Sequence, residues 1–293
     1  MVISGKGGTG KTSVVASFAA LAGNAVLADC DVDAADLHLV LEPTVVRRED
    51  FTGGKKARIA PDRCASCGKC QAACRFDAIS MSGPANDVVA KTYRVDRLAC
   101  EGCGICVHVC PADAVEFETV VAGQWFVSET RCGPMVHARL GVAAENSGKL
   151  VSLVRSAAKE IAQKEERPLV IVDGPPGIGC PVIASVTGAD VALIVTEPTL
   201  SGLHDLRRVA ELTRHFGIKT LVCVNKWDIN PDLAARIESE AKECGLAVAG
   251  RLRYDRAVTD SQVRGLSVVE YAQNAVAEDI KAVWAAISTV AGV

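Results

Sequence analysis

Eight residues near the start of the chain have the types and spacing to hold phosphate. They read Gly5-Lys6-Gly7-Gly8-Thr9-Gly10-Lys11-Thr12 and fit G-x-x-x-x-G-K-[ST]. Glycines let the backbone curl so that successive N–H groups face one anion. A helix that begins where the loop ends adds positive potential at the same place. In such a loop Lys11 meets the β- and γ-phosphates of a nucleotide, and the Thr12 hydroxyl ligates Mg²⁺. A glycine-rich turn with a solvent lysine is the plainer alternative, and it does not require the whole pattern.

The cysteines form a second group. Eight of the 13 fall within 47 residues, 64–110. Cys64, Cys67, Cys70 and Cys74 are spaced C-x₂-C-x₂-C-x₃-C, and Cys100, Cys103, Cys106 and Cys110 repeat that spacing. Three cysteines at such intervals can wrap one iron–sulfur cube, with the fourth of each run directed to the other cube. One [4Fe–4S] cluster is therefore assigned to Cys64, Cys67, Cys70 and Cys110, and the other to Cys100, Cys103, Cys106 and Cys74. Small residues among them (Ala65, Ser66, Gly68, Gly102, Gly104) let backbone amides approach the sulfurs. Structural zinc is the alternative, but zinc sites use paired C-x₂-C knuckles rather than two full four-cysteine runs. His108 lies inside the second run and reads as a neutral neighbour of a ligand.

These groups need elements to position them. Residues 1–4 form a short apolar run ending at Gly5, and Val14, Val15, Phe18, Ala19 and Leu21 then recur at helical spacing up to Gly23. The loop thus joins a strand to a helix. Further apolar runs at 25–29, 169–173, 191–196, 220–225, 246–252 and 267–271 suit strands buried on both faces. Helical stretches at 147–163, 203–216 and 231–244 alternate with them. The expected fold is α/β, a doubly wound and mostly parallel sheet whose ligands sit at the carboxyl ends of the strands. Three runs end in polar residues suited to a nucleotide: Asp29-Cys30-Asp31, Asp173-Gly174-Pro175-Pro176-Gly177 and Asn225-Lys226-Trp227-Asp228. An aspartate at such a strand tip can hold Mg²⁺ or orient an attacking water.

Composition bounds the rest. The 293 residues are 49% hydrophobic, and 32 basic against 35 acidic residues leave a net charge of −3. That balance offers no footprint for nucleic acid, and no apolar run approaches the length needed to span a bilayer. The segment 276–291 puts Val276, Ile280, Val283, Trp284 and Ile287 on one face, with Lys281 its single lysine, and reads as a core-docked helix rather than a membrane binder. The start MVISGKGG carries no long apolar segment, so a cytoplasmic, reduced setting is expected, in which clustered thiols bind metal.

The second lysine of the loop, Lys6, carries a family resemblance. The loop looks like the deviant Walker A of the MinD/ParA/Mrp group of P-loop ATPases, which includes the nitrogenase iron protein. Asp29 and Asp31 resemble that group's first switch, Asp173 to Gly177 its second, and Thr196-Glu197-Pro198-Thr199 follows the next strand. The resemblance implies that Lys6 reaches across a dimer to the partner's nucleotide, Asp31 orients the hydrolytic water and Asp173 supports Mg²⁺. Asn225 matches an adenine-contacting asparagine, although Asn225 to Asp228 also fits N-K-x-D, a guanine-reading pattern that uses Asp228. The two cysteine runs resemble a bacterial two-[4Fe–4S] ferredoxin, a small α+β domain spliced into the ATPase. Arg75 stands where that family has proline, whereas Pro111 keeps it. The expected division is 1–59 and 119–293 for the ATPase and 60–118 for the insert, which follows the polar Gly53-Gly54-Lys55-Lys56 stretch. Residues 60–118 hold six basic and eight acidic residues, so a redox partner would present a basic face.

Two further cysteines stand apart. Cys180 follows Asp173 by seven positions, where the nitrogenase iron protein has a cysteine that ligates an intersubunit cluster, and Cys132 opens Cys132-Gly133-Pro134-Met135-Val136-His137. Together they are read as a thiol or metal site at a dimer seam, against the plain alternative of a buried and a loop cysteine. The functional expectation is an ATP-hydrolysing homodimer, or heterodimer with a related ATPase, that acts on a redox or metal-cofactor client. The alternative is a nucleotide-switched electron carrier or scaffold without significant turnover.

Overall fold

The computed structural model describes residues 1–141 and 147–293. They pack as two units. The first comprises Met1–Glu49, Gln124–Leu140 and Ser147–Val293; the second comprises Asp50–Gly123 and the segment beginning at Gly141. Residues 60–118, the expected insert, all lie within the second unit.

Strands β1 (Val2–Ser4), β2 (Ala25–Asp29), β3 (Thr44–Ile59), β4 (Ile79–Gly83), β5 (Thr92–Val95), β6 (Val115–Thr130) and β7 (Gly133–Leu140) precede β8 (Leu169–Pro176), β9 (Val191–Thr196), β10 (Lys219–Asn225) and β11 (Ala247–Leu252). Helices are α1 (Lys11–Ala22), α2 (Leu37–Leu41), α3 (Lys69–Ala73), α4 (Ile105–His108), α5 (Ser147–Lys164), α6 (Cys180–Val186), α7 (Leu200–His215), α8 (Pro231–Glu243), α9 (Ala257–Val263), α10 (Val268–Tyr271) and α11 (Ala275–Ala291).

In the first unit the strands run β11-β10-β9-β1-β8-β2-β7, with β6 and β3 beyond β7. The pairs from β11 to β7 are parallel. Arg131 and Cys132 alone join β6 to β7, and so short a link requires an antiparallel pair. Every residue of β1, β2 and β9 is buried, as a sheet covered on both faces demands. One core lies under α1, α2 and the C-terminal helices, and a second under α6, α7 and α8. Strand order reverses around β1, which puts the carboxyl ends of β1, β8, β2 and β9 around one crevice.

The C-terminal helix α11 buries Val276, Ile280 and Val283, and sets Trp284 5.0 Å from the Phe18 ring. No described helix is long and apolar enough to cross a membrane. One expected strand is wrong: residues 267–271 contain helix α10. Ser267 and Glu270 form a capping box, with the Ser267 amide donating to Glu270 at 2.9 Å, and that local pairing outweighs the β-branched Val268-Val269. The polar stretch 53–56 lies inside β3, where a neighbouring strand satisfies its backbone.

The second unit is built on an internal repeat of 36 residues. Gly68 and Gly104, with φ of 74° and 75°, open α3 and α4, which carry Cys70 and Cys106. Asp77 and Asp113 share a left-handed backbone, with φ of 50° and 47°. Ala60 N donates to Ala114 O at 2.8 Å, and Asp96 N donates to Ala78 O at 2.7 Å. Each atom of the second bond lies 36 residues from its counterpart in the first, so the two halves exchange equivalent bonds.

Glu270 also links elements of the first unit. Arg131 donates to its carboxylate at 2.7 and 2.9 Å and to the Val40 carbonyl at 3.1 Å. The Arg131 bond outweighs burial and holds the Glu270 carboxyl near 2 rather than 4.5. A lowered carboxylate contributes stability above the unfolded value that is lost as pH falls toward the folded one. Glu270→Gln should therefore cost about 1 kcal/mol at neutral pH, discounted for partial exposure. It should also flatten the loss of stability between pH 4.5 and 2 seen by urea denaturation.

Candidate functional site

The phosphate loop hangs between β1 and α1 and is fixed by close approach. A Cβ on Gly5 would lie 2.2 Å from Asp205 Cβ, and one on Gly10 would lie 2.4 Å from Asn225 Nδ2. Gly8 and Gly10 have φ of 79° and 89°, which a side chain disfavours. The neighbouring strand ends are tied to each other: Gly177 N donates to Ser4 O at 2.9 Å and Cys30 N to Asp173 O at 2.8 Å. The loop and both aspartate turns are therefore tied into one backbone framework.

Lys11, 5% exposed, is buried at this crevice. Its charge offsets the burial that raises the pKa of Asp31 and Asp173. Thr12 Oγ1 donates to Asp173 Oδ2 at 2.8 Å, while Asp173 Oδ1 is buried without a partner among the described residues, as is Thr9 Oγ1. Asp29 accepts from Asp31 N at 3.2 Å and Leu37 N at 3.3 Å. Burial, then the charge of Asp173, pushes the Asp29 pKa well up. Crowded carboxylates with an orphaned oxygen beside a threonine hydroxyl suit a divalent cation, which would relieve both the repulsion and the missing bond.

Asn225 Nδ2 donates to Thr9 O at 2.8 Å, so this side chain braces the loop. Asp228 Oδ1 accepts from Tyr254 N at 2.7 Å. Lys6 lies on its own chain, 2.6 Å from Glu197 Oε1, 3.1 Å from Ser201 Oγ and 3.4 Å from Thr199 Oγ1. Lys226 Nζ stands 3.3 Å from both Glu197 Oε2 and Gly8 O. Glu197 and Lys226 had no assigned role from sequence. Their signal was only their place inside strand-end motifs, since a pairing between two turns has no sequence spacing.

In the second unit, Cys64, Cys67, Cys70 and Cys110 line one small cavity of about 20 Å³. Cys74, Cys100, Cys103 and Cys106 line another of about 20 Å³. Each cavity collects three cysteines of one run and the fourth of the other. Burial, together with the charges of Cys64, Cys110 and Cys67, lifts the Cys70 thiol to about 11. Among the described residues no three His, Cys, Asp or Glu side chains converge to hold a single metal ion. A zinc site needs its thiolates at about 2.3 Å from one point. Four thiols line each cavity, with left-handed turns at Ser66, Gly68, Gly102 and Gly104 beside them, and thiols are the donor type a cubane takes.

Cys132 and Cys180 are not brought together. Cys132 is buried beside Gly133, where a Cβ would lie 2.4 Å from the Ala25 carbonyl at the start of β2. Cys180 is exposed and opens α6 beyond the end of β8. Since β2 and β8 are parallel, the two cysteines occupy opposite edges of the sheet, roughly 15 Å of strand apart. Within one chain the two thiols therefore do not meet, and the expected site at a dimer seam would have to join thiols of different subunits. Cys132 lies in the apolar core.

Residues 1–268 match the sequence model of a family described as the CobQ/CobB/MinD/ParA nucleotide binding domain. An uncharacterized protein of Methanocaldococcus jannaschii, MJ0578, is 36% identical over 239 residues, 78% of each chain. The cell-division ATPase MinD of Pyrococcus furiosus superposes with a TM-score of 0.55 at 20% identity, over 99% of this chain and 98% of that one. The septum site-determining protein MinD of Pyrococcus horikoshii, solved with Mg-ADP, gives 0.58 at 18% identity, over 99% and 97%. At these identities the two structures speak for the fold, an α/β P-loop NTPase with a large, mostly parallel sheet.

The loop's geometry separates two glycines. Gly10→Ala combines a positive φ with a blocked Cβ and should lower Tm by about 2–6 °C as well as weaken nucleotide binding. Gly7→Ala, whose Cβ meets nothing within 4 Å, should stay within about 1 °C of the parent by calorimetry.

Proposed function

We propose that this chain, which belongs to the CobQ/CobB/MinD/ParA nucleotide-binding family, is a dimeric Mg-ATPase that couples its nucleotide cycle to iron–sulfur chemistry. The coupled process is electron transfer to a client protein, or assembly of a metal or iron–sulfur cofactor on it. The reaction is ATP + H₂O to ADP and phosphate. In this reading the loop amides of Gly5 to Thr12 and the Lys11 ammonium hold the phosphates, and Thr12 and Asp173 hold Mg²⁺. Asp31, at the mouth of the crevice, orients the attacking water, and its raised pKa fits a carboxyl that accepts a proton. Lys6 adds charge to the phosphates of a dimer partner's nucleotide, as the deviant Walker A resemblance implies. Asn225, already braced on Thr9, flanks the base.

The observation that carries the iron–sulfur half is the crossed pairing of the cysteine runs. Two cavities of nearly equal size each draw three thiols from one run and one from the other. When bound, a cluster in each would carry an electron between donor and acceptor. Buried apolar residues, Ile59, Ile79, Tyr93, Val95 and Val115, pack with the buried Cys64, Cys70 and Cys106, while Cys67 and Cys103 stay exposed.

Anaerobic purification followed by iron, sulfide and turnover assays tests this. About eight irons and eight sulfides per chain are expected, with Cys67→Ser and Cys103→Ser each removing about half. Lys11→Ala and Asp31→Ala should each lower hydrolysis by about 100-fold or more. Protein that hydrolyses ATP without iron would overturn the iron–sulfur half. Tight ATP binding with no turnover would move the reading to a nucleotide-switched electron carrier.

A further inference from the structure

Lys6 within the phosphate loop and Lys226 just after β10 both end on one carboxylate. Lys6 Nζ lies 2.6 Å from Glu197 Oε1, and Lys226 Nζ 3.3 Å from Glu197 Oε2. Glu197 follows β9 directly, and its side chain is only 16% exposed. Burial works to raise its pKa, but the Lys6 bond and the Lys226 charge outweigh that and hold the group below the usual carboxylate value. The anion is therefore present at neutral pH. Ser201 and Thr199 add acceptors for Lys6 from the start of α7, and Thr199 is itself fixed as the cap that accepts from Gly202 N at 3.0 Å. Lys226 is fixed at its other side by the Gly8 carbonyl at 3.3 Å. One carboxylate thus neutralises two of the cations nearest a loop built for phosphate.

We infer that Glu197 is a positioning residue that acts as an internal competitor of nucleotide β- and γ-phosphates, a dimer partner's for Lys6 and this chain's own for Lys226. The inference rests on the ATP-binding reading above and adds a regulator to that site. A polyphosphate gains these lysines only by displacing the carboxylate. The displaced carboxylate, tethered to the end of β9, then remains a like charge beside the phosphates. Removing the Glu197 charge should favour ligands in proportion to the phosphates they present to these lysines. Adenosine monophosphate, whose single phosphate does not extend to the β- and γ-positions, should gain little. A purely structural role would instead change all ligands alike.

The test uses the full-length, anaerobically purified protein and fluorescent analogues of ATP and AMP. Glu197→Gln keeps size and hydrogen bonding while removing charge. It should tighten ATP binding about three- to fivefold, the worth of one partly exposed ion pair, and leave AMP binding unchanged. In a Lys6→Ala/Lys226→Ala background the same substitution should give no gain, because its action runs through those lysines. Glu197→Ser serves as a second charge-removing variant if melting shows that Glu197→Gln is misfolded. Equal or weaker ATP binding in a folded Glu197 variant overturns the inference, as does an equal gain for AMP. A parent protein that binds ATP in neither assay overturns the nucleotide reading itself, and the competitor role falls with it.

Discussion

A buried lysine among buried carboxylates governs the first unit. Lys11 and Asp173 are both nearly inaccessible, and Asp29 beside them is 1% exposed. None of these charges would be tolerated alone at such depth. They persist because they share one crevice, where the lysine offsets two aspartates and backbone amides satisfy a third. The parallel sheet makes this arrangement possible, since it delivers β1, β2 and β8 to one edge in register, with Asp29 opposite Asp173. The glycines, the strand-end bonds and the helix start at Lys11 are what that concentration of charge requires of the backbone.

The second unit solves a different difficulty. A unit as short as Asp50–Gly123 has little apolar surface to bury, and small domains commonly need disulfides or metal to hold together. Its core is a short set of aliphatic residues and Tyr93 interrupted by the thiols themselves. Crossed bonding between halves 36 residues apart, Ala60 to Ala114 and Asp96 to Ala78, does part of that work. The fourth cysteine of each run, lining the cavity of the other, extends the same exchange to the side chains. A cofactor in either cavity would therefore staple both halves together. Folding and cofactor loading of this unit are expected to be linked.

Legibility followed range. The phosphate loop, strands β1, β2, β8, β9, β10 and β11 and the long helices were readable because periodicity and glycine placement act over a few residues, whereas β3 to β7 were not read as strands. Residues 267–271 misled because an apolar β-branched pair was weighed above a capping box spanning the same four positions. The length of β3 through Gly53 to Lys56 was hidden because strand pairing can satisfy a polar backbone that has no strand propensity of its own. Cys132 and Cys180 looked alike as spare thiols, and only the direction of β2 and β8 separated them.

By itself the sequence determined which chemistry is available: a loop suited to curl around an anion, and two cysteine runs of one repeated spacing. Those are local constraints of bond geometry and residue type. Tertiary structure alone decided which charges meet. It set Thr12 on Asp173, left the other oxygen of Asp173 without a partner among the described residues, and put Lys6 and Lys226 on Glu197. Such meetings depend on strand order and register, which bring residues nearly 200 positions apart within hydrogen-bonding distance. Electrostatic interaction falls with distance in space and is blind to separation along the chain.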